Sequence, residues 1–273
     1  MYEQYYGMKN TPFSRNVPPE ALYESPAMSD ALGRLAYAAD KQLFAVVTSD
    51  AGCGKTTMIR KFAASLPKEE YILLYLSDSK LTPRWLYKGL LDQLGLESHI
   101  YRGNAKSQLQ KEVSIIRGIQ GRKIVCVLDE AHLLDKDTLE ELRFFLNTKI
   151  DSESPLALIL VGQTELRTEK LQLQRYAAIR QRIDMNCILP HLDRAETEKY
   201  IGTHLTYAGG SREIFTSRAL DEIYRNSTGI PRVINRICEK SLLYAFQQQK
   251  RLIDDHMVLY VVEDEMLGER RVK

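Results

Sequence analysis

Residues 48–57 of this 273-residue chain read Thr-Ser-Asp-Ala-Gly-Cys-Gly-Lys-Thr-Thr, and their flanks leave the fold little freedom. Upstream, the apolar run 43–47 reads as a short buried strand. Downstream, residues 58–66 read as a helix that stops before Pro67. A strand that turns through Gly52 and Gly54 into a helix start is suited to holding phosphate. The glycines let the backbone curl so that several N–H groups converge, and the helix N-terminus adds positive potential. Lys55 can then reach the outer phosphates of a nucleoside triphosphate, and the Thr56 hydroxyl can ligate Mg²⁺. The expected nucleotide contacts are Ser49, Asp50, Ala51, Gly52, Cys53, Gly54, Lys55, Thr56 and Thr57. The general pattern has Gly at position 49. Ser49 can turn there if its φ stays negative, so the loop opening is expected to be distorted and the site kept.

A second stretch supplies what the first lacks. Residues 123–128 form an apolar run that ends in two adjacent carboxylates, Asp129 and Glu130. A buried strand would hold Asp129 at its C-terminal edge, where it can bind Mg²⁺ directly or through water. Neighbouring side chains on a strand point to opposite faces. Glu130 is therefore expected to face elsewhere and to polarise an attacking water. The pair of stretches implies hydrolysis of a nucleoside triphosphate, with ATP and Mg²⁺ as the bound species.

Composition bounds the rest. With 44% hydrophobic and 27% charged residues, the chain can bury one nucleotide-binding domain and a smaller second one. No apolar run approaches the roughly 20 residues of a membrane span, and the N-terminus lacks the basic and apolar regions of a signal peptide. Cys53, Cys126, Cys187 and Cys238 are scattered without a Cys-x-x-Cys pair, as reduced thiols of a cytoplasmic protein would be. The five histidines show no metal spacing, so no metal beyond Mg²⁺ is expected. A net charge of +2 does not announce a nucleic-acid binder, and any such binding must come from local patches.

Along the chain, residues 1–40 read as an aromatic, proline-punctuated arm and a helix from Ala31 to about Lys41, packed on the nucleotide-binding core. Apolar strands follow at 71–76, 156–161 and 187–189. Helices are expected at 83–94 (capped by Thr82), 107–120, 137–147 and 165–175. Strands that are apolar throughout and alternate with helices indicate an α/β domain over residues 41–190, its parallel sheet covered on both faces. Ligands would then sit at the strand C-terminal ends. Beyond Pro190, residues 193–209, 216–227, 231–249 and 253–267 read as amphipathic helices, a helical lid domain over 191–273.

Further residues carry a family resemblance: Tyr6 and Gly7 with Pro12 and Phe13, Leu22, Tyr23 and Ser25, the Asp129-Glu130-Ala131-His132 run, Val161 to Leu166, Gln181 to Ile183, and Gly229 to Arg232. With the two phosphate-site stretches, they make the chain resemble an AAA+ ATPase of the ExeA-type group, which includes ATPase partners of bacterial transposases. The resemblance implies sensor roles for Gln163, at a strand tip, and Arg232, opening a lid helix. It implies an arginine finger acting on a neighbouring subunit, with Arg182 first and Arg180 as the alternative, and hence a ring or helical homo-oligomer. By analogy with related transposition regulators, Lys80, Thr82 and Arg84 would contact DNA phosphates, with Lys106 and Lys111 behind them.

Three functional readings follow. The first is a transposition helper that assembles with ATP on double-stranded DNA, without sequence preference, and recruits or stimulates a transposase. The second is a secretion-associated ATPase, and the third a remodeller of a protein partner without DNA. Secretion-type relatives continue into a membrane span and a cell-wall-binding module. An end at Lys273 is expected to favour the first reading and no membrane partner.

Overall fold

In the computed structural model, which describes residues 1–78, 81–99, 101–145 and 154–265, the apolar runs pair side by side. They form β1 (Phe44–Thr48), β2 (Tyr71–Leu76), β3 (Lys123–Leu128), β4 (Ala157–Gly162) and β5 (Met185–Ile188). All pairings are parallel and the strand order is β2-β3-β4-β1-β5. The inner strands β1, β3 and β4 are buried on both sides because they are apolar at nearly every position, whereas the edge strands β2 and β5 are only partly covered. Phe44, Val46, Cys126 and Leu158 enter one core, while Ala45, Val47, Val127 and Ile159 enter the other. That alternation is the period-two geometry of a strand with two dry faces.

Helices complete both faces. The first core receives Leu86 and Tyr87 of α4 (Pro83–Gln93) and Leu109 and Ile116 of α5 (Arg102–Gly118). It also takes Leu139 and Leu142 of α6 (Lys136–Phe145) and Ile179 of the short α7 (Ala177–Arg180). The second receives Leu35 of α2 (Pro26–Lys41) and Met58 and Phe62 of α3 (Lys55–Ser65). Thr82 caps α4, its hydroxyl accepting from the Trp85 N–H. Three expected helices differ. α2 starts at Pro26, whose fixed φ suits a first helical position, and not at Ala31. α5 starts at Arg102. The helix expected over 165–175 is a π-turn, Leu166–Lys170, followed by a 3₁₀ turn, Gln174–Tyr176. The expected end of the helix over 137–147 lies outside the described residues.

The chain divides into two compact units. One comprises residues Ala27–Ala51 and Lys55–Leu189 and carries the sheet; the other comprises Met1–Pro26, Gly52–Gly54 and Pro190–Lys273. In the second, α8 (Arg194–Ala208), α9 (Ser217–Ser227), α10 (Pro231–Gln247) and α11 (Asp255–Tyr260) bury Leu205, Ile223, Ile234, Leu242 and Val258. α11 runs on only as a π-turn, Val261–Glu265, and the last residues of the helix expected over 253–267 lie outside the described set. The N-terminal arm, which opens with α1 (Tyr2–Tyr5), groups with these helices and not with the sheet. Its Tyr2, Met8 and Phe13 join their core, the Lys9 N–H donates to the Ala208 carbonyl, and the Tyr6 hydroxyl donates to the Lys250 carbonyl. The arm's rings find apolar cover on α8 and α10, whereas the sheet faces are already closed by their own helices.

Candidate nucleotide site

The loop after β1 turns left-handed at Gly52 (φ 88°) and Gly54 (φ 92°), and not at Ser49. These are conformations that glycine adopts without a Cβ penalty. α3 then begins at Lys55, which is buried. Its ammonium folds back into the loop, donating to the carbonyls of Ser49 (2.9 Å) and Asp50 (3.0 Å) and lying 3.4 Å from the Ser49 hydroxyl. Ser49 therefore puts its hydroxyl beside the cation. The loop is braced from β4: the Ser49 N–H donates to the Gly162 carbonyl, and the Thr164 hydroxyl donates to the Asp50 carboxylate at 2.6 Å.

β3 lies next but one to β1, across β4, and delivers Asp129 to the same strand-end level. Asp129 is 5% exposed. Its Oδ2 lies 3.5 Å from the Thr56 hydroxyl and accepts from the Tyr75 hydroxyl at 2.7 Å, while its Oδ1 accepts from the Glu130 N–H. Burial, together with this bond to Asp129, raises the Tyr75 phenol well above its usual pKa, so it stays a proton donor. Thr56 and Asp129 present hard oxygen donors to one point, and that set fits Mg²⁺. Tyr75 was missed in the sequence because it reads as one more aromatic residue in a buried strand.

Glu130 is turned away from Asp129 for a reason other than the expected one. It lies beyond the end of β3, in the left-handed region (φ 55°, ψ 31°), so backbone conformation and not strand alternation directs its side chain. Gln163 follows β4. Its side-chain amide lies 3.0 Å from His132 Nε2, and the His132 ring in turn stands 3.6 Å from the Glu130 carboxylate. Cys53 is buried, and Ala51 and Thr56 are exposed. Thr57 is half-buried on the first turn of α3.

The remaining expected residues fall at separate places. Arg182 follows α7 and is partly exposed. Arg180 has its guanidinium bound to the Leu171 carbonyl at 2.7 Å. Arg232 is the exposed second residue of α10, and its N–H donates to the Gly52 carbonyl. A Cβ at Gly52 would meet Arg232 Cβ at 3.0 Å, which gives this glycine a packing role beside its torsional one. Thr82 and Arg84 are exposed at the start of α4, whereas Lys80 lies outside the described residues. Lys111 is exposed, but Lys106 is paired with the buried Glu141 at 2.7 Å and is not displayed as a free basic group.

The family model described as "AAA domain" matches residues 38–168. Over 248 residues, 90% of its length, the chain is 34% identical to "General secretion pathway protein A" of Aeromonas hydrophila. It is an AAA+ protein of the ExeA type. This ExeA-type chain is also 27% identical over 186 residues to "Mu-like prophage FluMu DNA transposition protein B" of Haemophilus influenzae, across 67% of its own length. It spans 45% and 61% of these two relatives. Among solved structures, Cdc6p of Pyrobaculum aerophilum superposes with a TM-score of 0.71 at 17% identity, covering 94% of the ExeA-type chain and 71% of the other. That likeness concerns the fold. Among the described residues, no helix is long and apolar enough to cross a membrane.

Proposed function

We propose that the chain is an ATPase that assembles on double-stranded DNA when ATP is bound and thereby recruits or stimulates a transposase. The observation that carries the ATPase part is the convergence of Thr56 and Asp129 beside a buried Lys55. In this reading, Lys55 and the loop N–H groups bind the outer phosphates of ATP. Thr56 and Asp129 hold Mg²⁺, which when bound neutralises charge on the phosphates. Glu130 takes the proton of the attacking water, and Gln163 orients that water or contacts the γ-phosphate. Arg232 and Arg182 report the nucleotide, Arg182 from a neighbouring subunit, so hydrolysis belongs to the oligomer.

The DNA part draws on the relative named for DNA transposition and on the exposed start of α4. Thr82 and Arg84, with Lys80, would contact phosphates and carry no base information. A few contacts per subunit become strong only when many subunits line one duplex. The relative named for secretion favours a second reading, in which the same ATPase cycle serves an export machine without DNA.

Electron microscopy of the protein with duplex DNA, with and without a non-hydrolysable ATP analogue, tests the proposal. Rings or filaments on DNA that need nucleotide are expected, and Glu130→Gln should form them with ATP itself and hold them. Arg84→Ala should weaken DNA binding alike on every sequence and flatten its salt dependence. Nucleotide-dependent assembly indifferent to DNA would move the reading to the export machine. Absence of any ATP response would end both.

A further inference from the structure

His132 belongs to no step of the mechanism above, yet it stands between two groups that do. Its ring is only 13% exposed. Nε2 faces the Gln163 side-chain amide at 3.0 Å, and Nδ1 lies 3.4 Å from the Gln163 backbone nitrogen and 3.6 Å from Glu130 Oε2. The segment that carries the ring is fixed. The Lys170 ammonium donates to the carbonyls of His132 and Leu134, and the Leu133 N–H donates to the Glu130 carbonyl. Gly162 allows the segment to approach β4, since a Cβ there would meet the His132 backbone nitrogen at 3.1 Å and the Leu166 side chain at 2.9 Å.

We propose that His132 is a positioning residue that couples Glu130 to Gln163, the place of its single ring proton setting which end of the Gln163 amide is presented to substrate. A neutral imidazole has one donor nitrogen and one acceptor nitrogen. With the proton on Nε2, Nδ1 accepts from the Gln163 backbone N–H. The only acceptor the amide can offer Nε2–H is its oxygen, and the NH₂ is left outward as a donor suited to a phosphate oxygen. With the proton on Nδ1, drawn toward the Glu130 carboxylate, the Gln163 backbone N–H gives up its bond to the ring and Nε2 accepts from the amide NH₂. The oxygen is then left outward, suited to accept from a water. A charged Glu130 favours the second arrangement, so the residue that activates the water also selects the amide end that orients it. Among the described residues, the ring is the partner that chooses the orientation of the Gln163 amide.

This inference rests on the ATPase reading for its catalytic consequence, but its physical core is testable apart from activity. Ring ¹⁵N chemical shifts of His132, read by NMR in the wild type and in Glu130→Gln, report the tautomer directly. The expected result is a shift of population from Nδ1–H to Nε2–H in the variant; identical ring shifts would overturn the coupling. In steady-state ATPase assays, His132→Ala and Gln163→Ala should each lower kcat, on the order of 10²-fold for a misplaced orienting group, with KM for ATP retained. The double variant should fall no further. His132→Gln, whose amide can still pair with Gln163, should recover part of kcat. Multiplicative losses in the double variant, or a loss confined to KM, would overturn the positioning role. A wild type without ATPase activity would sink the functional reading, while the NMR comparison would still decide the coupling.

Discussion

The Tyr75 hydroxyl donates to Asp129 Oδ2, and Tyr75 is itself pinned. The Gln93 side-chain amide accepts from its backbone N–H (2.9 Å) and donates to its carbonyl (2.8 Å). β2 is an edge strand, so these two backbone groups face outward from the sheet, and Gln93 satisfies both. The phenol thus enters the site on a fixed backbone and holds one carboxylate oxygen in place. Groups that orient a metal ligand in this way typically contribute 10–100-fold to metal affinity or activity. Tyr75→Phe, which keeps the ring and removes the donor, should raise the Mg²⁺ concentration for half-maximal ATPase rate by about 10–100-fold. A Mg²⁺ titration of the two proteins measures this, and an unchanged midpoint would reduce Tyr75 to a space-filling role.

At the scale of elements, the turn from α9 into α10 sets where Arg232 stands. Thr228 (φ 48°) and Gly229 (φ 77°) are both left-handed, and Pro231 opens α10. Gly229 has no room for a side chain, because a Cβ would come within 1.9 Å of the Leu192 carbonyl oxygen, and its own carbonyl accepts from the Leu192 N–H. Backbone clash adds to torsional strain. Gly229→Ala should therefore cost more than the roughly 1 kcal/mol typical of a substitution and lower the thermal midpoint, which differential scanning fluorimetry measures. The sequence displays such elements unevenly. β2 and β3 match their runs residue for residue, since each run is bounded sharply by polar residues. The phosphate loop, Asp129 and Glu130 are legible for the same reason: their residue types follow strand ends directly. The Tyr75 and His132 contacts are not legible, because each joins residues at or beyond the ends of different strands and depends on which strands become neighbours. The left-handed turn at Glu130 is hidden too, for a glutamate gives no local sign of that conformation. The broken helix after Leu166 reads as a continuous one by composition, although tertiary packing resolves it into a π-turn and a 3₁₀ turn.

At the scale of the whole molecule, the two units have separate cores, and one of them carries a group that acid should strain. His204 on α8 is 4% exposed, and neither ring nitrogen has a hydrogen-bond partner. It lies between Phe13 of the arm (5.1 Å between ring centroids) and Tyr200 (4.5 Å). Burial lowers its pKa from 6.5 to about 4. The unfolded chain therefore binds a proton that the folded one refuses over that interval. Stability is unaffected above pH 6.5 and falls as pH drops toward 4, the loss amounting to about 2 kcal/mol at pH 5. The loss should fall on the helical unit alone. The chain's single tryptophan, Trp85, is half-exposed on α4 in the sheet unit, so its fluorescence reports that unit. Between pH 7 and pH 5 the first loss of helical circular dichroism on heating should move to lower temperature, while the Trp85 transition stays near its place. His204→Phe keeps an aromatic ring between Phe13 and Tyr200 and removes the titrating nitrogens, so its dichroism transition should not move with pH over this range. An equal movement in that variant would assign the acid sensitivity to some other group. A Trp85 transition that moved together with the dichroism would mean instead that the two cores melt as one.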